Sequence, residues 1–342
     1  MAVGVNSLAF ICEIGKRILS KGEFYMKKIL IIFLIGLIVL FSIIINNNYK
    51  KNGNNSDPII ISSYDNPIIP EGFSKLDTEI ASWKLNKDGK PEGWNKGLVI
   101  EDEKQNQFVW VPVIESDFGI FSNEEETLMD NESTEEIDQI KKFGGFFISR
   151  FEAGICKELT DNTTNISVNT YNIEGVPVSQ KGVIPWNYIS LKKAKINAQK
   201  MYDNENIRSD LITTRQWLRV LKWLSDTGFD FKNIKNKGNF ADSVFWFSGH
   251  YSLNQGRDFQ YAEKYLKDEN IILATGINEN SNINNIYDLF GNVMEYTDGY
   301  VEDRGYYSVG GYYSETSCLK TAHLLGVEPL DKLGFRVVLY IK

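Results

Sequence analysis

Residues 29–45 read ILIIFLIGLIVLFSIII, seventeen positions without a charge, interrupted only by Gly36 and Ser42. A helix packed on a water-soluble core normally keeps a polar stripe, and this run has none. As a helix it spans roughly 25 Å, the short end for a bilayer core of about 30 Å, with residues 46–48 placed in the interface. The run therefore predicts a transmembrane helix with membrane lipid around residues 29–45. Two forms stay open, a retained signal anchor over 26–48 and a cleaved secretion signal. A cleaved signal needs a small-residue pattern after the apolar stretch, whereas this chain continues Asn-Asn-Asn-Tyr-Lys-Lys, which favours the anchor. No cysteine follows closely enough to carry a lipid.

Flanking charge sets the orientation. Lys16, Arg17, Lys21, Lys27 and Lys28 precede the run, and only Lys50 and Lys51 follow it closely. The more positive side stays cytoplasmic, so everything after residue 46 is expected outside the cell membrane. Met26-Lys27-Lys28 reads as a natural start of the signal. Residues 1–25 are then an N-terminal extension, untranslated if synthesis begins at Met26.

Residues 49–75 are rich in Asn, Gly, Ser and Pro, with Pro58, Pro67 and Pro70, and read as a flexible tether. From residue 76 to 342 turn signals are evenly dispersed, and no second linker or internal repeat appears, so one domain is expected there. The 342-residue chain carries 37 Lys and Arg against 45 Asp and Glu, a formal charge of −8. No cationic field or local basic patch exists to condense nucleic acid, and no nucleic-acid partner is expected.

Within the domain, residues 107–113 (QFVWVPV) predict a strand that Pro112 either ends or confines to an edge. Residues 146–151 predict a second. Between them, residues 115–140 hold ten acidic and no basic residues and read as a solvated loop. Ser190 is placed to cap a helix with Leu191, Ala194, Ala198 and Met201 on its apolar face. Thr213 and Gln216 have capping-box spacing ahead of Trp217, Val220, Leu221 and Leu224, a core-facing stripe. Residues 334–340 (GFRVVLY) read as a late strand whose Arg336 reaches a carboxylate or carbonyls through its fixed fork. The wealth of short aromatic segments fits an α+β domain better than a doubly wound sheet.

Reactive side chains are sparse. The three cysteines are Cys12, Cys156 and Cys318, too few for a disulfide scaffold. For Cys156 and Cys318 three states stay open: independent thiols, a disulfide on the exported side, or a two-thiolate metal site. His250 and His323 are the only imidazoles and show no ligand spacing, so both read as structural or surface residues. Ser248, His250 and Asp288 supply the residue types of a hydrolytic triad, but no nucleophile elbow is present. Around Asn292, Gly291 permits unusual backbone angles while Asn292 and Glu295 offer side-chain oxygens. These would suit calcium, with Asp288 a weaker candidate, or would satisfy irregular backbone and Arg336 without an ion.

Residues 285–297 (NIYDLFGNVMEYT) resemble the formylglycine-generating enzyme, or sulfatase-modifying factor, family. Four further segments resemble it in the same order: residues 185–190 (PWNYIS), 211–217 (LITTRQW), Gly310-Gly311 and Gly334-Phe335-Arg336. Together they span roughly residues 76–342. The resemblance implies the family's variation of the C-type lectin fold, with structural calcium as a candidate cofactor. Aerobic members hold copper between two neighbouring cysteines near the Gly-Gly segment and oxidise a substrate cysteine. Here only Cys318 follows that segment, Val309 stands where the family has Arg, and Met294 and Tyr296 replace two Trp. Copper and Cys318 catalysis therefore belong to an oxidase alternative.

The fold expectation is thus an α+β domain, a formylglycine-generating-enzyme-like variation of the C-type lectin fold, preceded by one N-terminal transmembrane helix. The functional expectation is a membrane-tethered extracytoplasmic domain that binds a protein, peptide or glycan ligand without catalysis. A formylglycine-generating oxidase and an envelope structural or assembly protein are the alternatives.

Overall fold

The computed structural model describes residues 67–113, 134–155, 166–167, 171–267, 269–301, 305–317, 323–325 and 329–342. By internal contacts the chain divides into residues 1–60 and 61–342. The apolar run at 29–45 lies outside the described residues. Among the described residues, no helix is long and apolar enough to cross a membrane.

The second unit is built on the period-two pattern of its strands. Strands β1 (Phe73–Leu76), β2 (Val99–Asp102) and β3 (Gln107–Pro112) precede helix α1 (Thr134–Phe143) and β4 (Gly145–Ser149). After the short strands β5 (Gly154–Ile155), β6 (Ile166–Ser167) and β7 (Ile184–Pro185) come α2 (Leu191–Gln199), β8 (Ile207–Leu211) and α3 (Thr214–Asp226). The remaining strands are β9 (Phe245–Ser252), β10 (Asp258–Leu266), β11 (Ile272–Leu273), β12 (Met294–Val301), β13 (Gly305–Val309), β14 (His323–Leu325), β15 (Leu333–Phe335) and β16 (Val337–Ile341).

A six-stranded antiparallel sheet runs β1-β2-β3-β4-β16-β8. Successive side chains of a strand point to opposite faces. Val99, Val109, Val111, Ile148 and Val338 accordingly join one core with Trp217, Val220, Leu221 and Leu224 of α3. Ile100, Phe108, Trp110, Phe147 and Leu339 join a second with Leu191, Ala194 and Ala198 of α2 and with Met294, Tyr296 and Phe335. Burial on both faces explains why β3 is apolar from Phe108 onward rather than alternating. Two four-stranded sheets, β11-β9-β10-β6 and β14-β13-β12-β15, and the pair β5-β7 complete the α+β architecture.

Several local expectations hold and several move. Pro112 closes β3, opposite Gly145. Strand β4 ends at Ser149, earlier than expected, because Arg150 turns to Asn285 and Gln107. The capping box at Thr213 and Gln216 forms, and the predicted apolar stripe of α3 is buried. Ser190 is the N-cap residue of α2 as expected, but its side chain makes no capping bond and its hydroxyl donates to Asn172 Oδ1 at 2.8 Å; Met201 lies past the helix end. The expected loop at 115–140 carries α1 at its C-terminal end. There Glu136 is buried against Arg219 at 2.5 Å and accepts from the Thr213 hydroxyl at 3.0 Å. Residues 114–133 lie outside the described residues. The expected single strand at 334–340 is two strands in different sheets, β15 and β16, broken at Arg336. The tether expected to reach residue 75 gives way earlier, because β1 pairs with β2 and Pro67 and Pro70 are buried.

Candidate functional site

The segment from Asn284 to Asn292 departs from ordinary backbone. Asn284, Asn285, Asp288, Gly291 and Asn292 all have positive φ, the region Asn, Asp and Gly tolerate best. The resulting reversals deliver Asn292 and Glu295 into the interior, both essentially without solvent exposure. Arg336 enters the same region from the break between β15 and β16. Its Nε donates to Glu295 Oε1 at 2.7 Å, one terminal nitrogen to Ser149 O at 3.0 Å, and the other to Tyr287 O at 2.9 Å and Asp288 O at 3.3 Å.

Glu152 is the acidic residue that sequence reasoning missed. A lone carboxylate inside the apolar stretch FFISRFEAGI, at residues 146–155, was its available signal. Its Oε2 accepts Asn292 Nδ2 at 2.7 Å and its Oε1 accepts the Val293 N–H at 3.1 Å. Asn292 Oδ1 accepts Leu273 N at 2.9 Å and Asn239 Nδ2 at 3.0 Å, while its Nδ2 also donates to Leu273 O at 3.2 Å. Both amide hydrogens and both carbonyl lone pairs of Asn292 are therefore engaged. Asp288 anchors a turn, accepting Gly276 N at 2.6 Å and the Ser281 hydroxyl at 2.8 Å.

Three buried carboxyls thus share one guanidinium. Burial raises the pKa of Glu152 well above the usual range, and repulsion from Asp288 and Glu295 adds to it; Arg336 and Asn292 oppose. Burial also raises Asp288, against the Gly276 N–H, Ser281 and Arg336, and raises Glu295 against Arg336. The arrangement places Asn292 and Glu295 as partners of backbone, Glu152 and Arg336. Glu295 Oε2 is buried and has no hydrogen-bond partner. Among the described residues no group of three or more His, Cys, Asp or Glu side chains is gathered as a metal would require.

The other singled-out residues are dispersed. Ser248 is exposed and shares hydrogen bonds with the Tyr261 hydroxyl and Glu263, while His250 is buried with its ring 5.6 Å from that of Tyr261. Asp288 is committed to its turn with Gly276 and Ser281, away from Tyr261, the residue that both Ser248 and His250 lie against. Cys12, Cys156 and Cys318 lie outside the described residues, and His323 falls in β14.

A separate concave site lies between α2 and the β12–β13 hairpin, a cleft of about 780 Å³. Leu191, Ile196 and Leu211 supply apolar lining, with Lys192, Lys195 and Gln199 along the helix and Asp298, Tyr300 and Tyr306 from the hairpin. Volume and lining match a small-ligand or peptide site. Tyr300 and Tyr306 are cross-strand partners with ring centroids 4.9 Å apart, and Tyr300 is 45% exposed. Asp298 reaches the surface, and its Oδ1 accepts the Thr214 N–H at 3.1 Å, in the first turn of α3. Crowding by the surrounding walls removes water from this carboxyl and raises its pKa, with the Thr214 N–H and Lys195 opposing.

The lysines of α2 and its C-terminal end divide into two pairs. Lys193 and Lys200 both bind Glu174, whose pKa they pull down to about 2. Lys192 and Lys195, on the cleft, form no ion pair among the described residues.

No family model matches the chain, and no curated protein is significantly similar to it. Among solved structures, the crystal structure of CarF is similar at a TM-score of 0.33 and 15% identity, covering 58% of this chain and 88% of that one. At that level the likeness carries no inference about fold or function.

Proposed function

We propose that this chain is a membrane-tethered, extracytoplasmic binding domain with a formylglycine-generating-enzyme-like variation of the C-type lectin fold, and that it acts without catalysis. The carrying observation is the separation of its buried Asn292, Glu295 and Arg336 network from its open cleft. Asn292 and Arg336 are spent on buried internal bonds, and Glu295 gives one oxygen to Arg336 while its other oxygen is buried. The accessible cleft, by contrast, is lined by apolar, tyrosine and lysine side chains with Ser190, Gln199 and Asp298, and holds no His or Cys among its described lining residues.

The fold reading draws on where the resembling segments fall. Residues 185–190 lead into α2, Thr213 caps α3, Gly291-Asn292 turns the chain into β12, and Gly310-Gly311 follows β13 with φ of 93° and 75°. Arg336 ties β15 and β16 to Glu295 of β12. Tethering and export rest on residues 29–45 and their flanking charges.

Equilibrium binding of the purified full chain to arrays of peptides and glycans tests the proposal. Saturable binding that Tyr300→Ala weakens supports it. Turnover of a bound substrate, with chemistry abolished by substituting one side chain in the cleft, would overturn it.

A further inference from the structure

The cleft has a direction, a polarity and a length, and together these specify a ligand class beyond the generic binding reading on which this inference rests. From Leu191 to Gln199 the helix wall rises 1.5 Å per residue, roughly 12 Å in all. An extended chain advances about 3.3 Å per residue, so about four residues lie along that wall. The two walls differ chemically. Lys192 and Lys195, one turn apart, line the cleft without an ion pair among the described residues, in a chain of net charge −8, and Lys195 also attracts Asp298 in the same lining. Their neighbours Lys193 and Lys200 are neutralised by Glu174, so the unpaired charge is confined to the cleft side. Opposite them stands the Tyr300–Tyr306 pair, whose exposed ring offers an apolar face.

We infer that the cleft binds an extended acidic peptide in which two carboxylates flank one aromatic or aliphatic residue. Alternate side chains of an extended peptide point in opposite directions. Carboxylates at positions i and i+2 then face Lys192 and Lys195, while the residue between them packs on Tyr300 and Tyr306. The two positions stand about 6.6 Å apart, a separation that lysine stems on neighbouring turns reach. Asp298 lies on the aromatic wall and repels an acid at the central position, which selects against the permuted order.

The test is fluorescence anisotropy on the full chain with a labelled peptide containing Glu-Phe-Glu, its permutation Glu-Glu-Phe, and a labelled oligoglucuronate. The expected result is saturable binding of Glu-Phe-Glu, at least 5-fold tighter than the permutation and weakening as salt rises from about 50 to 500 mM. Lys192→Glu with Lys195→Glu should weaken it at least 10-fold, and Tyr300→Ala at least 5-fold. Both lysines and Tyr300 are exposed, and a circular dichroism spectrum matching the parent establishes folding of each variant. Absence of Glu-Phe-Glu binding, or binding indifferent to the lysine reversals, overturns the inference. If the oligoglucuronate alone binds, and Tyr300→Ala weakens it, the peptide assignment fails while the binding-domain reading stands. If no ligand binds and the chain instead turns over a substrate, both fail.

Discussion

Arg336→Met isolates what the buried polar network contributes. Arg336 is fully buried, and its guanidinium serves one carboxylate and three backbone carbonyls. Removing the cation strands Glu295 in the interior, a change that costs about 3–5 kcal/mol when one partner of a buried ion pair is lost. The carbonyls of Ser149, Tyr287 and Asp288 lose donors as well, about 1 kcal/mol each but not additive with the first loss. A total near 4 kcal/mol is a large part of the roughly 5–15 kcal/mol that holds a typical domain folded. Urea unfolding of the full chain, with a slope of about 3 kcal/mol/M, should show a midpoint drop of more than ~1 M. Adding Glu295→Met removes the stranded charge and should recover about half of the loss. A loss below about 1 kcal/mol in Arg336→Met, or a double variant less stable than the single one, would refute the reasoning.

Other perturbations follow from the same network and its supports. Thr213→Ala removes the capping bond to Gln216 N and the hydroxyl bond to Glu136, and should lower the urea-derived stability by about 1–2 kcal/mol. Gly291→Ala combines a φ of +78° with a Cβ only 2.3 Å from Asn239 O, so thermal unfolding should report a loss above about 2 kcal/mol. Glu152, Asp288 and Glu295 are all shifted upward, so the folded chain binds more protons than the unfolded one above the ordinary carboxylate range. Unfolding free energy should therefore fall as pH rises from about 5 to 8, and a rise over that interval in urea titrations would contradict the network. Glu174, held near 2 by two lysines, acts only below that window.

What was legible in the sequence was local. Thr213 and Gln216 are three residues apart, and the box they form needs no distant partner. QFVWVPV declares a strand by its β-formers and its terminal Pro112, and the paired cores explain its apolarity from Phe108 onward. The failures are long-range. Ser190 was a good local cap, but Asn172, eighteen residues earlier, takes its hydroxyl. The acidic stretch looked solvated because Arg219, the buried partner of Glu136, lies 83 residues away. GFRVVLY looked continuous until Arg336 met Glu295 and the carbonyls of Ser149 and Tyr287. The cleft escaped detection for the same reason. Lys192 and Lys195 lie more than 100 residues from Tyr300 and Tyr306 in sequence, and only the fold sets them around one cavity.

Hydrogen exchange on the full chain, with and without saturating Glu-Phe-Glu peptide, measures most directly whether the cleft rather than the buried network is the working site. The account predicts ligand-dependent protection at residues 191–199 and in the Tyr300–Tyr306 hairpin, with residues 292–295 and 336 unchanged. Protection that instead concentrates at Asn292, Glu295 and Arg336, leaving α2 unaffected, would contradict it.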